Sequence, residues 1–316
     1  MARADRIRTA CQNAAIEAAL DANDANIEML VKRMDVALQV LKSPFPDLEE
    51  LNEFLAWPLT NAAAVECGSK CREMLGADDI EPLFTLPRLL AERLNVFVMF
   101  IESDRIASGR ALIDGGAFIF LKRTGFEHLF RCARELSWLL MDGMPTRSAP
   151  EVVFRSVANE DQALSGGRAG PYDRFADGFA DALLVPARGL ALSLQEVRRV
   201  MRVQGDAVGD VELLYLARIF GVSFRCAARR CERLDLLPKG SAALLEKFLR
   251  DRFGGADDRA SALDLPPRPD LPIDEIPEML AAATIRAVRN GFLTPESAAD
   301  AFGESMAAQL RADDGE

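Results

Sequence analysis

The stretch Phe130-Arg-Cys-Ala-Arg-Glu-Leu-Ser-Trp-Leu-Leu-Met-Asp142 constrains this chain more than any other. At 3.6 residues per turn, Phe130, Ala133, Leu136, Leu139 and Leu140 share one apolar face, so the segment reads as a helix packed against a core. Arg134 and Trp138 are four apart and sit one above the other, with Glu135 next to Arg134. One cation, one carboxylate and one indole are thus offered from a single core helix.

A zinc-peptidase helix needs two neutral imidazoles at i and i+4 to hold the metal, and a carboxylate at i+1 to take a proton from the bound water. Here Glu135 stands at i+1, but the ligand positions hold Arg134, an obligate cation, and Trp138, which has no lone pair to give. Residues 130 to 140 resemble Phe-x-x-Ala-His-Glu-Leu-Gly-His-Leu-Leu, the signature helix of the ImmA/IrrE metallopeptidases, with both histidines and the glycine replaced. A second segment, Asp173-Arg-Phe-Ala-Asp-Gly-Phe-Ala-Asp-Ala-Leu-Leu-Val-Pro186, resembles the family's Glu-x-x-Ala-Asn-x-Phe-Ala-x-x-Leu-Leu-x-Pro. Its first residue supplies the third zinc ligand in the family, and Asp173 takes that place. A third segment, Leu216-Ala-Arg-Ile-Phe-Gly-Val-Ser223, followed by Ala227-Ala228, Arg233-Leu234 and Leu236, resembles the small helix-turn-helix that follows the peptidase core.

The resemblance implies an α+β, mostly helical protein: a zincin-like peptidase core with a small sheet, flanked by N-terminal and C-terminal helical units. It implies five parts: a helical unit over 1–75, a core over 76–190, a helix-turn-helix-like unit over 191–253, a linker over 254–272 and a helical hairpin over 273–316. Family members with intact sites cleave Xre-like repressors, controlling mobile-element transfer or stress genes. The departures fall on the zinc ligands, so the expectation is a pseudopeptidase, without cofactor, that binds a repressor or a toxin–antitoxin component. A DNA-associated transcriptional regulator and a hydrolase with a rebuilt site are the alternatives.

No run approaches 18 consecutive apolar residues, and Met1-Ala-Arg-Ala-Asp-Arg6 lacks an apolar leader, so a cytoplasmic chain without membrane contact is expected. With a net charge of −11, nucleic acid could be met only through a local basic patch. Six cysteines in 316 residues read as reduced core residues.

Along the chain, helices are expected over Thr9–Leu20, Ile27–Val31, Val36–Leu41 and Leu48–Leu59, with Asp24 or Asn26 as an N-cap. The phrase from Pro46 to Leu59 resembles the end of an Xre-like DNA-binding domain. Residues 1–66 hold six Lys or Arg against eleven Asp or Glu, a balance of −5 that disfavours a working one and favours a dimerisation or docking unit. Pro87–Leu94 reads as a short helix, Val96–Ile101 as a buried strand, and 111–121 as a hairpin turning at Gly115-Gly116. Residues 141–172 read as a loop. Helices follow over Gln195–Gln204 and Val211–Ile219. After the linker, Ile276–Asn290, a Gly291 cap and a helix opened by Thr294-Pro295 complete the chain.

Two readings stand for Arg134, Glu135 and Asp173: a residual polar cleft that binds a carboxylate or peptide terminus, or an internal salt bridge replacing a lost dication. His128, the only histidine, recurs with Cys132 and Glu135 at i, i+4 and i+7, an improvised metal site or a helix-start group. Residues 196–239 hold nine Lys or Arg against six Asp or Glu, the one positive region at +3. In it Arg225, Arg229, Arg230 and Arg233 form either a nucleic-acid or partner surface or a solvated face. Gly166-Gly167-Arg168 reads as a loop without a phosphate-binding context.

Overall fold

The computed structural model describes residues 2–41, 57–123, 127–141, 150–157, 170–203, 205, 207–269 and 276–313. They form an α+β, mostly helical protein of thirteen helices and one four-stranded sheet, and no helix among them is long and apolar enough to cross a membrane. The expected helix Leu48–Leu59, most of the Xre-like phrase and Gly166-Gly167-Arg168 lie outside the described residues. Contacts divide the chain into two units, one of 1–57, 86–169 and 273–316 and one of 58–85 and 170–272. The division expected from the sequence was linear, whereas each observed unit gathers separated stretches.

In the first unit the sheet comprises β1 (Val96–Ile101), β2 (Ile106–Ile113), β3 (Gly116–Lys122) and β4 (Glu151–Ser156), in the order β1-β3-β2-β4. β1 runs parallel to β3, while β2 is antiparallel to both β3 and β4. The hairpin turns at Asp114-Gly115, not at Gly115-Gly116: Asp114 (φ 48°) and Gly115 (φ 81°) take the two positive-φ positions, and Gly116 already pairs with Ile113. Aspartate tolerates the left-handed region, and this pair of conformations matches the twist of the flanking strands.

Strand alternation gives the sheet two unlike faces. Phe97, Met99, Ala111, Phe118, Phe120, Val152 and Phe154 share a core with four helices: α1 (Arg3–Glu17), α2 (Ala25–Val40), α12 (Glu278–Arg289) and α13 (Pro295–Asp313). The first and last stretches of the chain therefore complete one core rather than two separate units. α2 is continuous where two helices were expected. The polar residues that suggested a break are partnered: Arg33 donates to the carbonyls of Ala301 and Phe100, Lys32 pairs with Asp300, and Asp35 with Arg3. Asp24 is the N-cap, accepting from the Asn26 amide at 2.8 Å. On the opposite face of β2 and β3 lies α5 (His128–Met141), preceded in the chain by α4 (Leu86–Leu94).

The second unit is helical: α3 (Asn61–Met74), α6 (Pro171–Leu184), α7 (Ala187–Met201), α8 (Asp210–Ile219), α9 (Phe224–Arg233), α10 (Ser241–Phe253) and α11 (Ala256–Ala262). α11 lies within the stretch expected to be linker. α8 and α9 are joined by a tight turn with Gly221 at φ 64°, and Ser223 caps α9. α3 and α6 meet almost backbone to backbone. A β-carbon on Gly68 would stand 2.7 Å from the Phe179 carbonyl oxygen, and one on Gly178 would stand 2.8 Å from the Ala64 β-carbon. Gly68→Val should therefore force the helices apart and cost about 2–3 kcal/mol in urea unfolding, typical of overpacking. An unchanged midpoint would mean that the helices do not cross this closely.

Candidate functional site

Four polar side chains converge between α5 and the sheet. Ser108 and Arg110 are two apart on β2 and point to the same face, and Arg155 on β4 pairs in register with Ser108. Glu135 of α5 meets all three. One carboxylate oxygen accepts from the Ser108 hydroxyl at 2.7 Å and from Arg155 Nε at 2.9 Å, and the other accepts from Arg110 at 3.3 Å. Glu135 is 1% exposed. Burial alone would raise its pKa, but Arg155, Arg110, Ser108 and Arg134 together outweigh burial and hold it below the usual carboxylate value. The Trp138 ring is flanked by both guanidiniums, at 5.3 Å from Arg110 and 5.1 Å from Arg155.

The sequence marked Arg134 as the cation balancing Glu135. The ion pairs come instead from Arg110 and Arg155, and Arg134, itself buried, acts on Glu135 through its field. Ser108, Arg110 and Arg155 were missed, although an arginine inside the apolar run 106–113 signals a buried partner. Arg155 falls within residues 141–172, which read as a loop from the sequence, and strand β4 corrects that reading. Asp173 belongs to the second unit, half-buried in the first turn of α6.

No family model, curated protein or solved structure matches the chain.

The cluster does not fit a zinc ion. Of the three positions that would ligate, Arg134 and Trp138 have no lone pair to offer, and Glu135, in the place of the base, has both oxygens engaged by cations. Among the described residues no group of three or more His, Cys, Asp or Glu side chains could hold a metal. His128 is buried with its ring edge-on to Phe100 at 5.6 Å, and burial pushes its pKa down. All six cysteines are buried. Burial pushes the thiols of Cys11, Cys71 and Cys231 up to about 12, and that of Cys67 upward as well, so none of these four is a ready nucleophile.

The four arginines of α9 do not present a basic surface. Arg229 pairs with Asp177 at 3.1 Å and Asp181 at 3.0 Å, Arg233 pairs with Asp181, and Arg225 pairs with Glu246 at 3.0 Å. Arg230, 1% exposed, donates to the Val185 carbonyl at 2.8 Å. Asp177 and Asp181 are one turn apart on α6, as Arg229 and Arg233 are on α9. The pairing staples two helices together and turns the charge inward.

Proposed function

We propose that the chain is a catalytically degenerate protein of the ImmA/IrrE type, with a zincin-like core, that regulates by binding a protein partner without zinc proteolysis. The partner class is a helix-turn-helix repressor of the Xre type or a toxin–antitoxin component. The observation that carries this reading is the state of Glu135. A general base needs a free lone pair and a proton affinity near the working pH. Glu135 has its oxygens held by a hydroxyl and two guanidiniums, and its proton affinity is pulled down rather than up. The same contacts weigh against a hydrolase rebuilt around this residue. A DNA-binding role loses its best candidates, since the α9 arginines face α6 and α10.

The test is elemental analysis of the parent and of an Arg134→His, Trp138→His, Asp173→Glu variant after zinc supplementation, beside a binding assay with an Xre-type repressor read by intact mass. The parent should hold well under one zinc per chain and co-elute with an uncut repressor. Stoichiometric zinc in the parent, or cleavage of the repressor, overturns the reading.

A further inference from the structure

α10 buries one side and leaves an apolar row on another. Ala242 and Leu249 are buried, and the helix packs on α9 and α11. Away from them Leu244 is 70% and Phe248 42% exposed. The two are four apart and lie one above the other, and Arg252 continues the row with its guanidinium carbon 5.8 Å from the centre of the Phe248 ring. Lys247 and Asp251, both exposed, pair with each other beside that row. The face lies wholly within the described stretch 207–269. We propose that it joins two copies of this chain, as an antiparallel pair of α10 helices related by a two-fold axis.

The charges of this face are placed to complement each other between copies. A two-fold axis level with Leu249 sets Lys247 of one copy opposite Asp251 of the other, and does so twice, because each residue lies two positions from the axis. Such an axis also brings like sides of the two helices together, and Lys247 and Asp251 lie on the same side of the row. Phe248 lies one position from the axis, so the two Phe248 rings meet with an offset of about 3 Å along the helices. Leu244 faces Gly254 of the other copy, which carries no side chain, and the stem of Arg252 beside it. A partner helix of one charge sign would instead repel either Lys247 or Asp251. From Leu244 to Arg252 the row spans eight helical rises, about 12 Å, so the seam is smaller than a standard interface and the dimer is a weak one.

No residue around Glu135 takes part, so the pairing and the peptidase resemblance stand or fall separately. A chain found to carry zinc could still pair through α10, and a zinc-free chain could fail to.

The test is sedimentation equilibrium of the full chain up to about 500 µM, where a monomer–dimer equilibrium with a Kd on the order of 100 µM is expected. Leu244→Glu, at a position exposed enough to leave the thermal midpoint unchanged, should weaken association at least roughly tenfold by placing charge in the seam. Lys247→Asp and Asp251→Lys should each remove self-association, because like charges then face each other across the axis. Mixed in equal amounts, these two variants should associate again, with a Kd within roughly threefold of the parent's, because every such position then meets its opposite. The mixture reads the contact between copies, since neither chain regains its own Lys247–Asp251 pair. A parent that stays monomeric to about 500 µM overturns the proposal. So does a dimer that either Leu244→Glu or Lys247→Asp leaves as tight as the parent's, which would place the interface elsewhere, or a mixture of the two charge variants that sediments as monomer.

Discussion

Glu135→Gln should lower the unfolding free energy by about 3–5 kcal/mol, because it removes a buried carboxylate that pairs with both Arg110 and Arg155 and takes its charge away from the two guanidiniums. For a chain of this size the thermal midpoint falls by roughly 2–4 °C per kcal/mol, so a drop of about 6–20 °C is expected. The amide keeps the shape of the carboxylate and can still accept from Ser108, so the loss reports charge rather than a cavity. If Glu135 were a spare catalytic base, the same substitution would leave stability unchanged or raised, as removal of an active-site carboxylate commonly does. A midpoint within about 2 °C of the parent would therefore sink the structural account of this residue. Adding Arg155→Gln to Glu135→Gln should cost less than the sum of the two single changes, with a coupling of about 1–3 kcal/mol.

The pH dependence separates the two accounts further. A carboxyl held below its ordinary value in the folded chain binds fewer protons there than when unfolded. The stability it contributes is complete above about 4.5, the ordinary value, and is lost as pH falls through the lower folded value. Urea unfolding curves of parent and Glu135→Gln should accordingly stay apart from pH 7 down to about 5 and converge only in stronger acid. A base tuned upward for catalysis would show its change between pH 7 and 5 instead.

How much of this was legible in advance follows from the range of the contacts involved. β1, the hairpin and α5 are written in local periodicity: β1 matches to the residue and α5 to within two, while the hairpin's first strand begins five residues before the expected 111. β4 was not, because its pairing is distant: Ile106 meets Ser156 across fifty positions, and the six residues of the strand sit between stretches rich in polar and small residues. The Glu135 cluster has the same character. Glu135 was singled out from its own helix, but two of its three partners, Ser108 and Arg110, come from the sheet's middle strand and the third from β4. The α9 arginines show what composition alone conceals. A net of +3 over residues 196–239 counts charge without direction, and the Asp177/Asp181 pair that turns these side chains inward lies outside that window.

Arg72→Met should be among the most damaging single changes in the second unit, at about 4–6 kcal/mol. Arg72 sits on α3 at 3% exposure and is held by main-chain carbonyls. Its Nε donates to the Asp78 carbonyl at 2.7 Å, one terminal nitrogen to the Leu183 carbonyl at 2.6 Å, and the other to the Glu81 carbonyl at 2.7 Å. Leu183 lies in the last turn of α6, where carbonyls lack helical partners and carry the negative end of the helix dipole. Burial pushes the Arg72 pKa down, opposed by the fields of Asp78 and Asp79, yet a guanidinium remains charged at any working pH. Methionine keeps the apolar stem and abandons three carbonyls, that of Leu183 in the interior and those of Asp78 and Glu81 partly buried, at up to about 1–3 kcal/mol each. Arg72→Lys is the sharper probe: it retains the charge, but a single ammonium cannot reach three carbonyls that the planar fork spans, so about 2–3 kcal/mol should still be lost. Hydrogen exchange should place the loss in α3 and α6 first. A lysine variant within about 0.5 kcal/mol of the parent would show that charge, not the fork, holds the site. The same device recurs where Arg33 reaches the Ala301 and Phe100 carbonyls, Arg218 those of Pro266 and Leu214, and Arg230 that of Val185. Several arginines of this acidic chain are thus spent tying the main chain of one element to the next. Such a role leaves few of these cations available to meet a polyanion.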